Sequence, residues 1–327
     1  MSAADHPRPV ATRIFRSIEE VPAGFGPTVA AIGNFDGVHL GHQEILASVV
    51  EEARKTGSRA VAITFDPHPA QCLRPEKAPK LLTPLMERLR LLTETGVDAV
   101  LVLHFDAALA ALQPSEFVRK ILIDALGVRS VHEGQNFRFG HGAAAGVAEL
   151  AAMGAGLGFT VCLHQPVCVR GLQVSSSAIR ALISAGDMRR ARWLLGRPFG
   201  VISTQARGRG IGAKLLVPTV NLAAYEGLLP AFGVYVTRLR IAGRNFQSVT
   251  NVGNRPTFGE PSFAVESHIL DFEPLEMNEE TPVELEFLLR LRGEIKFPSP
   301  EALKEQIFSD ISRAKRCFSL LSGPFSS

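Results

Sequence analysis

"TVAAIGNFDGVHLGHQEILASVVEEARKTG", Thr28 to Gly57, decides the fold of the first half of the chain. It opens with a short apolar, β-branched run, the pattern of a strand buried on both faces. It closes with Ile45, Leu46, Val49, Val50 and Ala53 at helical spacing, stopped by Gly57. In an open parallel sheet, ligands bind beyond the carboxyl ends of the strands, and the turn Gly33 to Gly37 lies at that edge. Gly33 and Gly37 permit a sharp reversal and a close backbone approach. The helix, expected from near Gly41, offers free N–H groups and a dipole to an anion. A plain connection needs neither His39 nor His42. A phosphate site can use both, because protonated or strongly hydrogen-bonded imidazoles stabilise charge on a transferring phosphoryl group. The spacing lacks the Gly-Lys-Ser/Thr ending of a P-loop. His39 and His42 are therefore the candidate catalytic pair, and Gly33, Asn34, Phe35, Asp36 and Gly37 the candidate nucleotide-binding turn.

Outward from this stretch the alternation continues. "RAVAITF", "DAVLVLHF", "VRSVHEG" and "GFTVCLH" read as strands. "TPLMERLRLLTETG" reads as a helix with Thr83 as N-cap and Pro84 at its first position, and "QPSEFVRKILIDALG" as another. This predicts an α/β domain with an open, parallel, Rossmann-like sheet. The last third changes character. "FGVYVTRLRIAG", "RNFQSVTNVG", "FAVESHILDF" and "VELEFLLRLRG" follow one another with turns between, until "SPEALKEQIFSDISRAKRCF" begins a helix at the N-cap Ser299 and Pro300. That is an antiparallel β-barrel with a terminal helix. The expected division is 14–186 for the first domain, 187–197 for a linking helix ended by Gly196, and 198–327 for the second.

Composition narrows the class. The 327 residues carry 35 basic against 32 acidic side chains, too even a balance to point to nucleic acid or an anionic membrane surface. No apolar run approaches the roughly 20 residues that span a bilayer, and "MSAADHPRPVATRIF" has no apolar core of a secretory signal. A cytoplasmic location is expected. Cys72, Cys162, Cys168 and Cys317 form no C-x-x-C pair and read as incidental thiols of a reducing compartment.

Three further segments carry chemistry. In "VSSSAIR", Ser175, Ser176 and Ser177 stand at a helix start with Arg180 one turn in, a second phosphate clamp. "RGRGIGAKLLVPTVNL" offers Gly208, Gly210, Gly212 and Lys214 as a loop over phosphates. Thr219 and Asn221, two apart, share one face of a strand. Two neutral oxygens there can hold Mg²⁺ that nucleotide phosphates otherwise neutralise.

These segments carry a resemblance. "GNFDGVHLGH" resembles the G-x-F-D-G-x-H-x-G-H signature of the nucleotidyltransferase superfamily, in its FAD synthetase branch, and "VSSSAIR" resembles that family's ISSTxIR motif. "TFDPHP", with Phe65 and His68, and "GQNFRFG", with Asn136 and Arg138, also match. The resemblance implies that Asn136 serves the nucleotide and that Phe65, His68 and Arg138 lie near flavin. "PTVNL" is similar to the PTAN motif of riboflavin kinases. "LLPAFGVYVTRL", "NVGNRPTFG" with Arg255, "ESHILDF", and "LLRLRGEIKF" with Arg292 follow in family order. This second resemblance implies Glu266 as catalytic base and Arg255 and Arg292 on the flavin side. Together they imply a bifunctional riboflavin kinase/FAD synthetase. Its C-terminal domain would make FMN from riboflavin and ATP with Mg²⁺. Its N-terminal domain would join FMN to AMP from a second ATP, giving FAD and pyrophosphate. The chain departs from the family at "HGAAAGV", where Ala143 and Gly146 stand in place of an expected Arg and Asp, at "LLVPT", and at "EPLEMNEETP". The first departure leaves open a riboflavin kinase with a decayed adenylyltransferase domain. An adenylyl- or cytidylyltransferase for another phosphate-bearing acceptor and a non-catalytic flavin-binding protein are the remaining alternatives.

Overall fold

The computed structural model describes residues 11–206, 219–255, 262–271 and 278–321. Its contacts divide the chain into two compact units, residues 1–175 and 176–327.

In chain order the first unit holds β1 (Arg13–Phe15), β2 (Thr28–Ile32), α1 (Leu40–Thr56), β3 (Arg59–Asp66), α2 (Pro69–Leu73), α3 (Leu85–Thr93) and β4 (Ala99–His104). There follow α4 (Ala107–Ala111), α5 (Pro114–Phe117), β5 (Val128–Gly134), β6 (Arg138–Phe139), β7 (Ala145–Gly146), α6 (Val147–Leu157), β8 (Thr160–His164), β9 (Cys168–Val169) and β10 (Leu172–Gln173). Six strands form one sheet in the order β1-β4-β3-β2-β5-β8, and every pair in it is parallel. From β2 the chain steps one way through β3 to β4, then crosses to β5 on the other side. That reversal is the topological switch point, where such sheets open a crevice at their carboxyl ends. The turn after β2 lies there. Apolar clusters cover both faces of the sheet. Leu46, Val49, Val50 and Ala53 of α1 pack on one face, and Ile121, Leu122 and Leu150 on the other.

Local chemistry explains most boundaries. Gly57 ends α1 in the left-handed conformation at φ 65°, as its lack of a Cβ allows. Two expectations need correction. The stretch 113–127 is not one regular helix: α5 passes into a π-helical run, Val118–Ala125. Thr83 is not the N-cap of α3. The helix starts at Leu85 after Pro84, and Thr83 is bound instead to Asp36.

The second unit begins with α7 (Ser176–Ser184) and α8 (Met188–Leu195), which ends at left-handed Gly196. Then come β11 (Phe199–Ala206), β12 (Thr219–Leu222), β13 (Gly233–Ile241), β14 (Arg244–Arg255), β15 (Ser262–Ile269), β16 (Pro282–Arg292) and α9 (Pro300–Leu321). The strands close a barrel in the order β11-β12-β15-β14-β13-β16, antiparallel throughout. Ser299 caps α9 by accepting the Ala302 N–H at 3.3 Å. Val234, Val236, Val249 and Leu288 on the outer barrel face pack against Ala314 and Phe318 of α9.

Candidate active sites

The turn after β2 is strained and braced. Phe35 (φ 47°) and Val38 (φ 37°) flank left-handed Gly37 (φ 87°). Left-handed backbone costs a bulky L-residue about 1–2 kcal/mol, so neighbours must hold it. The buried Asp36 carboxylate accepts the N–H groups of Leu82 (3.0 Å) and Thr83 (2.9 Å) and the Thr83 hydroxyl (3.2 Å). The same Thr83 hydroxyl accepts the Gly37 N–H at 2.9 Å. Arg88 of α3, fully buried, donates to the carbonyls of Asn34 (2.8 Å) and Phe65 (2.9 Å). Asp36 thus braces the turn from within the protein. Gly33 has a role other than the reversal: a Cβ there would meet the Phe35 ring at 3.3 Å.

His39 is the N-cap of α1. Its Nδ1 accepts the His42 N–H at 3.3 Å, so in the neutral ring the proton sits on Nε2. Its ring stacks on His42, centroids 3.6 Å apart and 15° from parallel. Burial, and secondly the neighbouring His39, hold His42 well below the ordinary histidine range. His42 is therefore a neutral ring that can offer one N–H at this helix N-terminus, so of the two forms expected, protonated or strongly hydrogen-bonded, it does not take the protonated one. Buried Glu133 of β5 accepts the Ile32 N–H at 2.8 Å just before the turn, and burial raises its pKa well above the usual carboxylate range.

The remaining first-unit candidates have the following surroundings. Phe65 is half-buried, edge-on to Phe105 with centroids 5.8 Å apart. His68 caps α2, its Nδ1 accepting the Ala70 N–H at 3.1 Å. Asn136 is exposed in the turn between β5 and β6. Exposed Arg138 pairs in register with Gly146. A Cβ on Gly146 would lie 3.2 Å from its guanidinium, where Glu149 already accepts the Gly146 N–H at 2.7 Å. Ser175 ends the first unit, while Ser176, Ser177 and Arg180 lie in the first turns of α7.

In the second unit the register builds the site. Asn221 of β12 is opposite Glu266 of β15, and Glu266 is opposite Asn251 of β14. One step along, Thr219 is opposite His268 and His268 opposite Val249. Thr219 and Asn221 therefore share a face with Glu266. Beside this row, between the outer barrel face and α9, lies a cavity of about 600 Å³ lined by Thr219, Asn251, Glu266 and His268 together with apolar Val234, Ile295, Phe297 and Ile307. Arg292 also lines it, but its Nε donates to buried Asp310 at 2.9 Å and Nη1 donates to the Gly293 carbonyl. Asn251 and His268 are additions to the site; the two-residue period of "ESHILDF" marks His268 as sharing the Glu266 face. Arg255 is the last residue of β14. Gly208, Gly210, Gly212 and Lys214 lie outside the described residues, as does the first half of "EPLEMNEETP".

A parallel sheet with a phosphate-type helix start at its switch point, followed by a barrel with a hydroxyl–amide–carboxylate row, defines a nucleotidyltransferase joined to a second transferase domain. Comparison with known proteins agrees unit by unit. Residues 22–178 match the FAD synthetase family model, and residues 195–318 the riboflavin kinase model. The bifunctional riboflavin kinase/FMN adenylyltransferase of Pseudomonas fluorescens is 38% identical over 88% of this chain and 92% of its own. That of Escherichia coli K12 is 34% identical over 89% and 93%. The chain belongs to the bifunctional riboflavin kinase/FMN adenylyltransferase family. A crystal structure named as a macrolide-efflux protein from Streptococcus pneumoniae aligns over 94% of this chain and 99% of that one, with TM-score 0.84 and 27% identity. Among the described residues no helix is long and apolar enough to cross a membrane.

Proposed function

We propose that the second unit transfers the γ-phosphoryl of ATP to riboflavin, and that the first unit joins the resulting FMN to AMP from another ATP. The observation that carries the reading is the alignment of Asn221, Glu266 and Asn251 beside an apolar cavity of about 600 Å³. An apolar pocket with a few polar groups on one wall suits a flat aromatic substrate bearing an alcohol. Glu266 takes the proton of that alcohol as it attacks phosphorus. Thr219 and Asn221 supply neutral oxygens, hard ligands that fit Mg²⁺, and the ion would offset phosphate charge there. Gly208, Gly210, Gly212 and Lys214 hold the nucleotide phosphates, and Arg292 shapes the cavity wall through Asp310.

In the first unit the attacking group is a phosphate oxygen of FMN, already ionised, so no general base is needed. Rate then depends on positioning and on charge stabilisation. His39 and His42 donate to the phosphates of ATP and to pyrophosphate as it leaves. Gly33 to Gly37, Asn136 and Ser175 bind the nucleotide, with Asp36 acting as a brace, and Ser176, Ser177 and Arg180 at the start of α7 form a second phosphate clamp. Phe65, His68 and Arg138 serve the flavin side. We place the functional boundary within 176–186. The compartment that suits this chemistry is the cytoplasm.

The test is incubation with riboflavin, ATP and Mg²⁺, with the flavins separated over time. FMN followed by FAD is expected. FMN alone would mean that the first unit is inactive, and no product would mean that the chain only binds flavin.

A further inference from the structure

About 20 Å along α1 from His39, at 1.5 Å rise per residue, a second group of reactive side chains converges. Glu52 of α1 reaches over the sheet to β5 and β8, where His132 and Cys162 are register partners. His164 lies two residues beyond Cys162, on the same face. The His132 Nε2 is 2.8 Å from Glu52 Oε2, and the Cys162 Sγ is 3.9 Å from that oxygen. The three ligand atoms all lie within 4.8 Å of one another. On its other side, His132 Nδ1 is 2.9 Å from His164 Nε2. His132 is 4% exposed, and the Glu52 side chain 30%.

We propose that Glu52, His132 and Cys162 bind a thiophilic divalent cation of the zinc type, with His164 holding His132 in the ligating tautomer. Zinc takes sulfur at about 2.3 Å and nitrogen or oxygen at about 2.0–2.2 Å. Tetrahedral placement separates such donors by about 3.3–3.8 Å. The observed spacings bracket that range, and the partly exposed Glu52 can draw back by the half-ångström or so required. A hydrogen-bonded chain Glu52–His132–His164 would explain three of the side chains. It leaves the thiol unexplained, since Cys162 has only long contacts, 3.9 Å to Glu52 and 3.7 Å to the Ser130 hydroxyl.

The second-neighbour arrangement is the one metal-bound histidines use, with the far ring nitrogen donating to a fixed acceptor. On binding, Cys162 releases its proton to solvent and its thiolate bonds the metal. His132 carries its proton on Nδ1, donated to His164 Nε2, and His164 carries its own on Nδ1. The two rings change tautomer without changing charge, so one proton leaves per cation. Thiolate and imidazole select zinc, cobalt, nickel or copper and reject Mg²⁺, which requires oxygen ligands in octahedral array. The site is thus chemically separate from the Mg²⁺-nucleotide chemistry proposed above. Glu52 lies 80 residues from His132 and 110 from Cys162, which is why the cysteine spacing alone marks no site.

The test is titration of the full-length, chelator-treated protein with Co²⁺, read by the near-ultraviolet thiolate-to-cobalt band, followed by competition with Zn²⁺. One equivalent of Co²⁺ should produce the band, stoichiometric Zn²⁺ should abolish it, and a hundredfold excess of Mg²⁺ should leave it. Cys162→Ser should remove the band and weaken Zn²⁺ binding at least tenfold, and His132→Asn should do the same. His164→Gln should weaken binding about 10–100-fold, the usual effect of losing such a support. Cys72→Ser and Cys168→Ser should bind as the unaltered protein does. Circular dichroism and FAD formation from supplied FMN establish that each variant is folded. A band that survives Cys162→Ser, or no band from the folded, unaltered protein at saturating Co²⁺, would overturn the site.

Discussion

Two glutamates in this chain meet opposite surroundings and should respond oppositely to the same change. Glu266 is exposed to the cavity, where a substrate alcohol can reach it. Glu266→Gln should lower FMN formation by about 10²–10⁴, the usual scale for a lost general base, while FAD formation from supplied FMN continues. Equal loss of both activities would contradict two separate sites. Glu133 is buried under the phosphate turn, and burial raises its pKa well above 4.5. Its folded-state pKa therefore exceeds the unfolded one, so the folded protein holds this proton more tightly. The associated stability is complete below the unfolded value and is lost as pH rises through the folded one. Glu133→Gln keeps an oxygen to accept the Ile32 N–H and removes the buried charge. The variant should gain stability relative to the unaltered protein on going from pH 5 to pH 8, measured by urea midpoints. A pH-independent difference would show that Glu133 does not titrate differently on folding. For the histidines, replacing both His39 and His42 by alanine should reduce FAD formation by at least the 10²–10³ typical of one lost donor, with riboflavin phosphorylation unaffected. Unchanged FAD yield from supplied FMN would remove them from the mechanism.

At the scale of elements, the barrel carries a polar feature inside an apolar lining. Thr237 bonds Ser248 at 2.7 Å and Thr250 at 2.6 Å, and Thr250 bonds Ser267 at 2.7 Å. All four residues are fully buried. This chain joins β13, β14 and β15, the last two of which carry Asn251 and Glu266 on the opposite face. Thr250→Val preserves shape and strands the Ser267 hydroxyl, so it should cost about 1–3 kcal/mol. Adding Ser267→Ala should recover part of that loss; if the double variant is no more stable than the single one in urea, the hydroxyls are not coupled. The succession of strands and helices along the chain and most caps were legible because they follow from local pattern: the apolar runs, Gly57, Gly196 and Ser299. The register of Asn221 with Glu266 was half legible, since alternation gives the face but not the partner strand. Bonds between distant segments were not legible. Thr83 looks like an N-cap in its own neighbourhood, yet Asp36, 47 residues away, takes its N–H. Nothing near Arg88 announces that its guanidinium is buried between two carbonyls. The cluster of Glu52, His132 and Cys162 is invisible for the same reason.

At the scale of the whole chain, the question is where the second unit begins as a folding entity. A boundary drawn at residue 198, after the short helix ended by Gly196, leaves α7 and α8 outside the barrel domain. The contacts place both helices with the barrel, from Ser176 onward. The Ala231 N–H donates to the Ile183 carbonyl at 3.3 Å, and Arg290 of β16 donates to the Ala185 carbonyl at 3.3 Å. Gly186, left-handed at φ 80°, lies so close to Arg290 that a Cβ would come within 2.7 Å of its side chain. Ile179, Ile183, Met188, Leu194 and Leu195 are at most 1% exposed. Each large apolar side chain withdrawn from water contributes about 1.5–3 kcal/mol. Several together rival the roughly 5–15 kcal/mol net stability of a whole domain. A fragment of residues 176–327 should therefore fold cooperatively and convert riboflavin to FMN. A fragment of 198–327 should melt at least several degrees lower, or fail to fold, because it loses that burial and leaves Arg290 without one carbonyl partner. The comparison is made by thermal melting and by FMN formation under identical conditions. Equal melting temperatures and equal rates would put the start of the kinase unit at residue 198, with α7 outside it and α8 as the linking helix.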